Sequence, residues 1–163
     1  MKKVVQMNSF QKVYYSLYDR LLSVRFLYEA FLKVKAAKGA PGIDGQSITN
    51  FEQGLVGELG KLVGELRSKT YKPLPVKRVE IPKPGGGLRK LGIPSVRDRV
   101  IQQALLEIMN PIFDPHFHPS SYGYRPGRSC HQAISKAQMF IRDYELEWVV
   151  DTDLSKCFDT LDH

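Results

Sequence analysis

The chain has 163 residues, 42% of them hydrophobic and 10% aromatic, which is enough to bury a core and excludes a disordered polymer. No apolar run approaches the roughly 20 residues of a membrane span, and the first residues lack the apolar stretch and cleavage site of a secretory leader. The formal net charge of +7 is uneven: residues 61–100 hold 11 Lys and Arg against 3 Asp and Glu, whereas residues 101–163 hold 5 against 9.

In chain order, Val13, Leu17, Leu21, Val24, Tyr28, Phe31 and Leu32 recur at helical spacing and predict a first helix over residues 9–38. The run 39–45, Gly-Ala-Pro-Gly-Ile-Asp-Gly, breaks it. A second helix is expected after Asn50 as N-cap, with Gln53 at the capping-box position. Phe51, Leu55, Leu59, Leu62, Val63 and Leu66 form its apolar face, and Gly54, Gly57, Gly60 and Gly64 fall opposite. Each such glycine costs about 1 kcal/mol relative to alanine in a helix interior. A weak surface helix explains them more simply than a face kept bare for RNA. Gly60-Lys61 is followed by Leu62, so no P-loop is present.

A hairpin follows, with strands over 76–81 and 88–93 around the turn Pro82-Lys83-Pro84-Gly85-Gly86-Gly87. Ser95 with Asp98 three residues on caps the next helix, whose stripe is Val96, Val100, Ile101, Ala104, Leu105, Ile108 and Met109, and Pro111 is expected to end it. A loop of aromatics, prolines and glycines over 113–128 leads to Ser129, the cap of the last helix, with Gln132 as capping-box partner. Residues 147–154 read as a strand. The fold class expected is α+β, mostly helical.

Lys83 and Arg89 flank a glycine-rich tip, so a point charge and a planar fork can converge on one phosphate group. The basic middle third offers Lys77, Arg78, Lys90 and Arg97, joined later by Arg128, to a nucleic-acid backbone. A solvated basic face would give the same composition. At the end of the predicted strand Asp153 reads as a metal ligand, and Phe158 five positions on as a wall against a sugar. Asp151, Asp159 and Asp162 read better as solvated or capping residues. Nucleotidyl transfer uses two divalent ions about 4 Å apart, for which carboxylates are suitable hard ligands. Cys130 and Cys157 lack zinc spacing and read as reduced thiols of a cytoplasmic protein, and His116, His118 and His131 receive no role.

Three ordered stretches resemble the reverse transcriptases encoded by group II introns, the intron maturases. They are Ile-Pro-Lys-Pro-Gly-Gly-Gly-Leu-Arg-Lys-Leu-Gly-Ile-Pro over 81–94, Ser-Tyr-Gly-Tyr-Arg-Pro-Gly-Arg-Ser over 121–129, and Asp-Thr-Asp-Leu-Ser-Lys-Cys-Phe-Asp over 151–159. Residues 39–45 resemble the family's extra N-terminal motif. The resemblance implies a helical segment over 1–38, polymerase fingers over 39–145 and the beginning of a palm over 146–163. It implies that Lys83 and Arg89 hold the phosphates of an incoming dNTP, with Arg125 near the nucleotide and template. Asp153 and the Leu154 carbonyl would bind Mg²⁺, two ions in the complete enzyme and weakly at best here. Phe158 would be the steric gate that excludes a ribose 2′-OH. Gly42, Asp44 and Gly45 would form a lid on template or primer.

The partners implied are intron or template RNA, a DNA primer and dNTP, with no membrane, in a bacterial cytoplasm. No Tyr-x-Asp-Asp occurs in these 163 residues, so the chain by itself is expected not to polymerise DNA. The strand bearing Asp153 would carry an unpaired edge open to homodimer formation, as would the fingers. The alternatives are a non-catalytic RNA-binding maturase-like module and a retron-like or CRISPR-associated reverse transcriptase.

Overall fold

The structure, a computed structural model, describes residues 14–154. It is α+β, with five α-helices and a two-stranded antiparallel sheet among the described residues. The chain divides into two compact units, one through Phe113 and one from Asp114 onward. Among the described residues no helix is long and apolar enough to cross a membrane.

In the first unit, Tyr18–Leu22 forms a 3-10 turn and α1 spans Val24–Ala36. The long first helix expected from periodicity is therefore broken at Ser23, and its stretch 9–13 lies outside the described residues. Ser23 is extended, and its hydroxyl accepts from the Phe26 N–H, so a capping side chain wins over the apolar repeat. Helix α2 spans Ile48–Gln53 and α3 spans Leu55–Arg67. The cap is Ser47, accepting from the Asn50 N–H at 3.1 Å, and not Asn50, which lies inside α2. Gly54, at φ −103° and ψ 17°, divides the two helices. The remaining helical glycines, Gly57, Gly60 and Gly64, are exposed with open space beside each.

Strands β1, Lys77–Pro82, and β2, Leu88–Ile93, form the expected hairpin. Helix α4 spans Val96–Phe113. Ser95 caps it with Asp98 as predicted, but Pro111 lies inside its last turn. The ring forfeits one hydrogen bond, yet its fixed φ is compatible with helix, so the expected stop does not occur there.

The core lies between α1, α3 and α4. Leu27, Phe31, Leu59, Leu62, Val96, Val100 and Ala104 are almost wholly buried, and Phe31 stacks on Phe51 from α2 with ring centroids 5.5 Å apart. Each aromatic buried this way stabilises the unit by about 1.5–3 kcal/mol.

In the second unit, a 3-10 turn at Asp114–His116 leads through a loop to α5, Cys130–Asp143. The predicted capping box is formed: the Gln132 N–H donates to Ser129 Oγ, and the Ser129 N–H donates to Gln132 Oε1 at 3.0 Å. The strand expected over 147–154 is absent. Those residues are irregular and exposed, because a β-strand exists only through a ladder partner and none is paired with them among the described residues.

Two glycines test this packing in opposite directions. A Cβ on Gly42 would sit 2.6 Å from the Ser95 Cα. Gly42→Ala should lower stability by about 1–3 kcal/mol in urea denaturation, whereas Gly60→Ala, which meets nothing, should raise it by about 1 kcal/mol.

Candidate nucleic-acid and nucleotide interface

Strand register decides which basic side chains share a face. Arg89 pairs with Ile81, Leu91 with Val79 and Ile93 with Lys77, so these six lie on one side of the hairpin. The other side carries Arg78, opposite Gly92, and Glu80, opposite Lys90. At the tip, Gly86 and Gly87 have φ of 90° and 83°, the left-handed region that disfavours any other residue. The Lys83 N–H donates to the Gly87 carbonyl at 3.0 Å, and the Gly86 N–H donates back to the Lys83 carbonyl. Beneath this turn is a hollow of about 600 Å³ lined by Ile81, Pro82, Lys83, Pro84, Gly85, Gly86, Arg89 and Leu91. The fold thus brings Lys83 and Arg89 to one concavity.

Charge pairing sets the hairpin apart. On the helices, Lys33 pairs with Glu107, Lys35 with Glu52 and Arg97 with Glu65. The side chains of Lys77, Arg78, Lys83, Arg89 and Lys90 make no ion pair or hydrogen bond among the described residues. Cations left uncompensated on one arm favour an external polyanion.

The arm is rooted by a carboxylate that sequence reading treated only as a capping residue. Asp98 is 1% exposed. Its Oδ1 accepts from the Tyr71 hydroxyl at 2.7 Å, and its Oδ2 accepts from the Leu74 N–H at 2.9 Å and the Ser95 hydroxyl at 2.8 Å. Burial first, and then the neighbouring Asp98 carboxylate, push the Tyr71 phenol far above its ordinary value. Arg97, an expected nucleic-acid contact, instead aims its guanidinium at Glu65 and lies over the Tyr71 ring, 5.3 Å from its centroid. Burial is the largest influence and works against its charge, but the Glu65 hydrogen bond together with the negative charges of Glu65 and Asp98 outweighs it, so its pKa is raised. The Ser95-x-x-Asp98 pattern was visible in sequence; that its carboxylate would also reach Tyr71 and Leu74 was not.

The 39–45 loop is fastened to the first turn of α4. Gly42 is buried against Ser95, and Arg99 Nη2 donates to the Ala40 carbonyl at 2.8 Å. Asp44 and Gly45 are exposed. The Asp44 carboxylate accepts from the Gln46 N–H, and Gly45 has φ 68°. Gly42 is therefore occupied by packing, while Asp44 and Gly45 face outward.

In the second unit, Arg125 is turned inward, with its side chain 8% exposed. Its Nε and Nη2 donate to the Asp114 carboxylate, Nη2 also to the Asp114 carbonyl, and Nη1 to the carbonyls of His118 and Ser121. All five guanidinium N–H groups are thereby used, and the group lies over the Phe117 ring. Arg128 is exposed, sits over Tyr122 and donates to the Pro119 carbonyl. Asp151, Asp153 and Leu154 lie in the exposed irregular segment, and Phe158, Asp159 and Asp162 fall outside the described residues. Among the described residues no three His, Cys, Asp or Glu side chains gather as metal ligands. By themselves Asp153 and Leu154 therefore make no complete divalent-ion site among the described residues.

The Asp114–Arg125 pair predicts a pH response. The Arg125 hydrogen bond holds the Asp114 carboxyl below its ordinary value. A lowered native pKa means a contribution that is whole above the ordinary carboxylate range and lost as pH falls below that range, through the native pKa. The Arg125 Nε–H resonance should stay constant from neutral pH down to that range and shift only below it. Asp114→Asn should abolish the transition; a shift well above the range would contradict the assignment.

Residues 81–163 match the family described as reverse transcriptase (RNA-dependent DNA polymerase). Protein YkfC of Escherichia coli (strain K12) is 46% identical over 143 residues, covering 85% of this chain and 38% of that protein. Group II intron-encoded protein LtrA of Lactococcus lactis subsp. cremoris is 35% identical over 156 residues, 93% of this chain and 25% of its own length. A putative COX1/OXI3 intron 2 protein of Saccharomyces cerevisiae is 33% identical over 140 residues, 86% of this chain and 16% of its own. The chain spans well under half the length of these relatives. With half its residues in the family match, and several relatives encoded in introns, it belongs to the reverse transcriptases of the group II intron type.

Proposed function

We propose that this chain supplies the fingers and the entry to the palm of an RNA-directed DNA polymerase of the group II intron type. The observation that carries the reading is the convergence of Lys83 and Arg89, unpaired among the described residues, on one glycine-rimmed hollow. In this reading the two cations hold the triphosphate of an incoming dNTP, Arg89 through its planar fork and Lys83 as a point charge. Lys77, Arg78 and Lys90 lie along the backbone of the template–primer duplex, with Asp44 and Gly45 at its edge. Arg128, in the second unit, is a further nucleic-acid contact in this reading. Arg97 is left out, because Glu65 already neutralises it. In the longer protein, Asp153 and the Leu154 carbonyl would contribute to a Mg²⁺ site and Phe158 would exclude a 2′-hydroxyl. An RNA-binding module without chemistry would use the same cations, and no observation favours it over the polymerase.

The test is binding of a structured RNA, a duplex DNA and a free dNTP across a salt series. Wild-type protein should lose RNA affinity steeply with salt, and Arg78→Ala and Lys90→Ala should each flatten the logarithmic slope by about 1. Lys83→Ala and Arg89→Ala should each weaken dNTP binding. Salt-independent RNA binding, or dNTP affinity untouched by Lys83→Ala and Arg89→Ala, would refute the assignment.

A further inference from the structure

We propose that Tyr124 is a stacking platform for an unpaired nucleobase, held outward by the inward clamp of Arg125. This rests on the nucleic-acid reading above and extends it to a residue with no assigned role. Tyr124 is fully exposed, and its side chain makes no hydrogen bond or ring contact among the described residues. A bare tyrosine on a surface needs no explanation by itself. Here, however, the backbone at Tyr124 has φ 55°, a left-handed conformation that a bulky L-residue adopts only against strain.

The source of that conformation is on either side. Next to Tyr124, Arg125 is fixed by five hydrogen bonds to residues 114, 118 and 121. Beyond it, Pro126 restricts the chain and Gly127 turns it at φ 68°. With Arg125 forced inward, the neighbouring ring is forced out.

Chemistry selects the ligand. Between residues 114 and 131 the only acidic residue is Asp114, already consumed by Arg125, while Arg128 lies exposed over Tyr122. An open aromatic face, on a loop that also carries the exposed Arg128 and no free carboxylate, suits a base and its phosphate. Stacking of this kind is tolerant of sequence, because every base has a π-face. Arg125 is accordingly a positioning residue, acting through Tyr124.

The experiment compares a short single-stranded oligoadenylate with the same oligomer made abasic. Tyr124→Gly removes the ring and relieves the left-handed strain, so thermal stability should hold or rise. It should weaken binding of the intact oligomer about five- to a hundred-fold, the span typical of one base–aromatic stack, and leave the abasic oligomer unchanged. Tyr124→Phe and Tyr124→Trp should keep wild-type affinity, and Arg125→Gln should reproduce the selective loss. Unchanged affinity in Tyr124→Gly would overturn the stacking role alone, as would equal loss for both oligomers, which would assign the ring to folding or to a protein contact. Failure of the wild-type protein to bind either oligomer would overturn this inference and the nucleic-acid reading together.

Discussion

The first unit depends on one buried carboxylate. Asp98 gathers a phenol, a backbone N–H and a hydroxyl from three separate stretches, the exit from α3, the approach to β1 and the cap of α4. A carboxylate out of water is strongly unfavourable unless its lone pairs are satisfied. That requirement is what specifies the geometry: Tyr71, Leu74 and Ser95 satisfy the carboxylate oxygens, and Arg97 Nε, 3.7 Å from Oδ1, faces their charge. The first turn of α4 adds the positive end of a helix to the same spot. Around this point the loop through Gly42 packs without a side chain, and Arg97 bridges to Glu65.

The consequence for function is mechanical. Apart from the half-buried Val79, β1 is exposed along its length, and β2 is mostly exposed, so the hairpin has no hydrophobic base of its own. A two-stranded hairpin in water is marginal by itself. Its direction is therefore set where Leu74 enters it, by Asp98. The root is rigid and neutralised, and the tip is glycine-rich and positively charged. Among the described residues Lys33, Lys35 and Arg97 on the helices are compensated by carboxylates, whereas the five cations of the arm are in no ion pair.

The elements most legible in the sequence were those whose signals are local. The hairpin was announced by Pro-Lys-Pro-Gly-Gly-Gly, and the caps at Ser95 and Ser129 required only a hydroxyl and a partner three residues on. The motif stretches around Lys83 and Arg89 led directly to the family. What stayed hidden depended on distance in the chain. Nothing local reveals that Asp98 meets Leu74, 24 residues away, or that Arg125 is spent on Asp114. The first helix was misread because apolar periodicity continues across Ser23, while the cap that breaks it is a single side chain. The terminal strand was misread because residues 147–154 have strand composition but no ladder neighbour among the described residues.

The most direct test of the root is amide hydrogen exchange, residue by residue, in wild-type protein and Asp98→Asn. The Leu74 amide of the wild type should exchange as slowly as the amides of α4. In the variant its protection should fall at least about ten-fold further than theirs, because a local opening replaces the shared one. If Leu74 already exchanges in the wild type at the rate of the exposed hairpin tip, the carboxylate does not anchor the arm and the account fails.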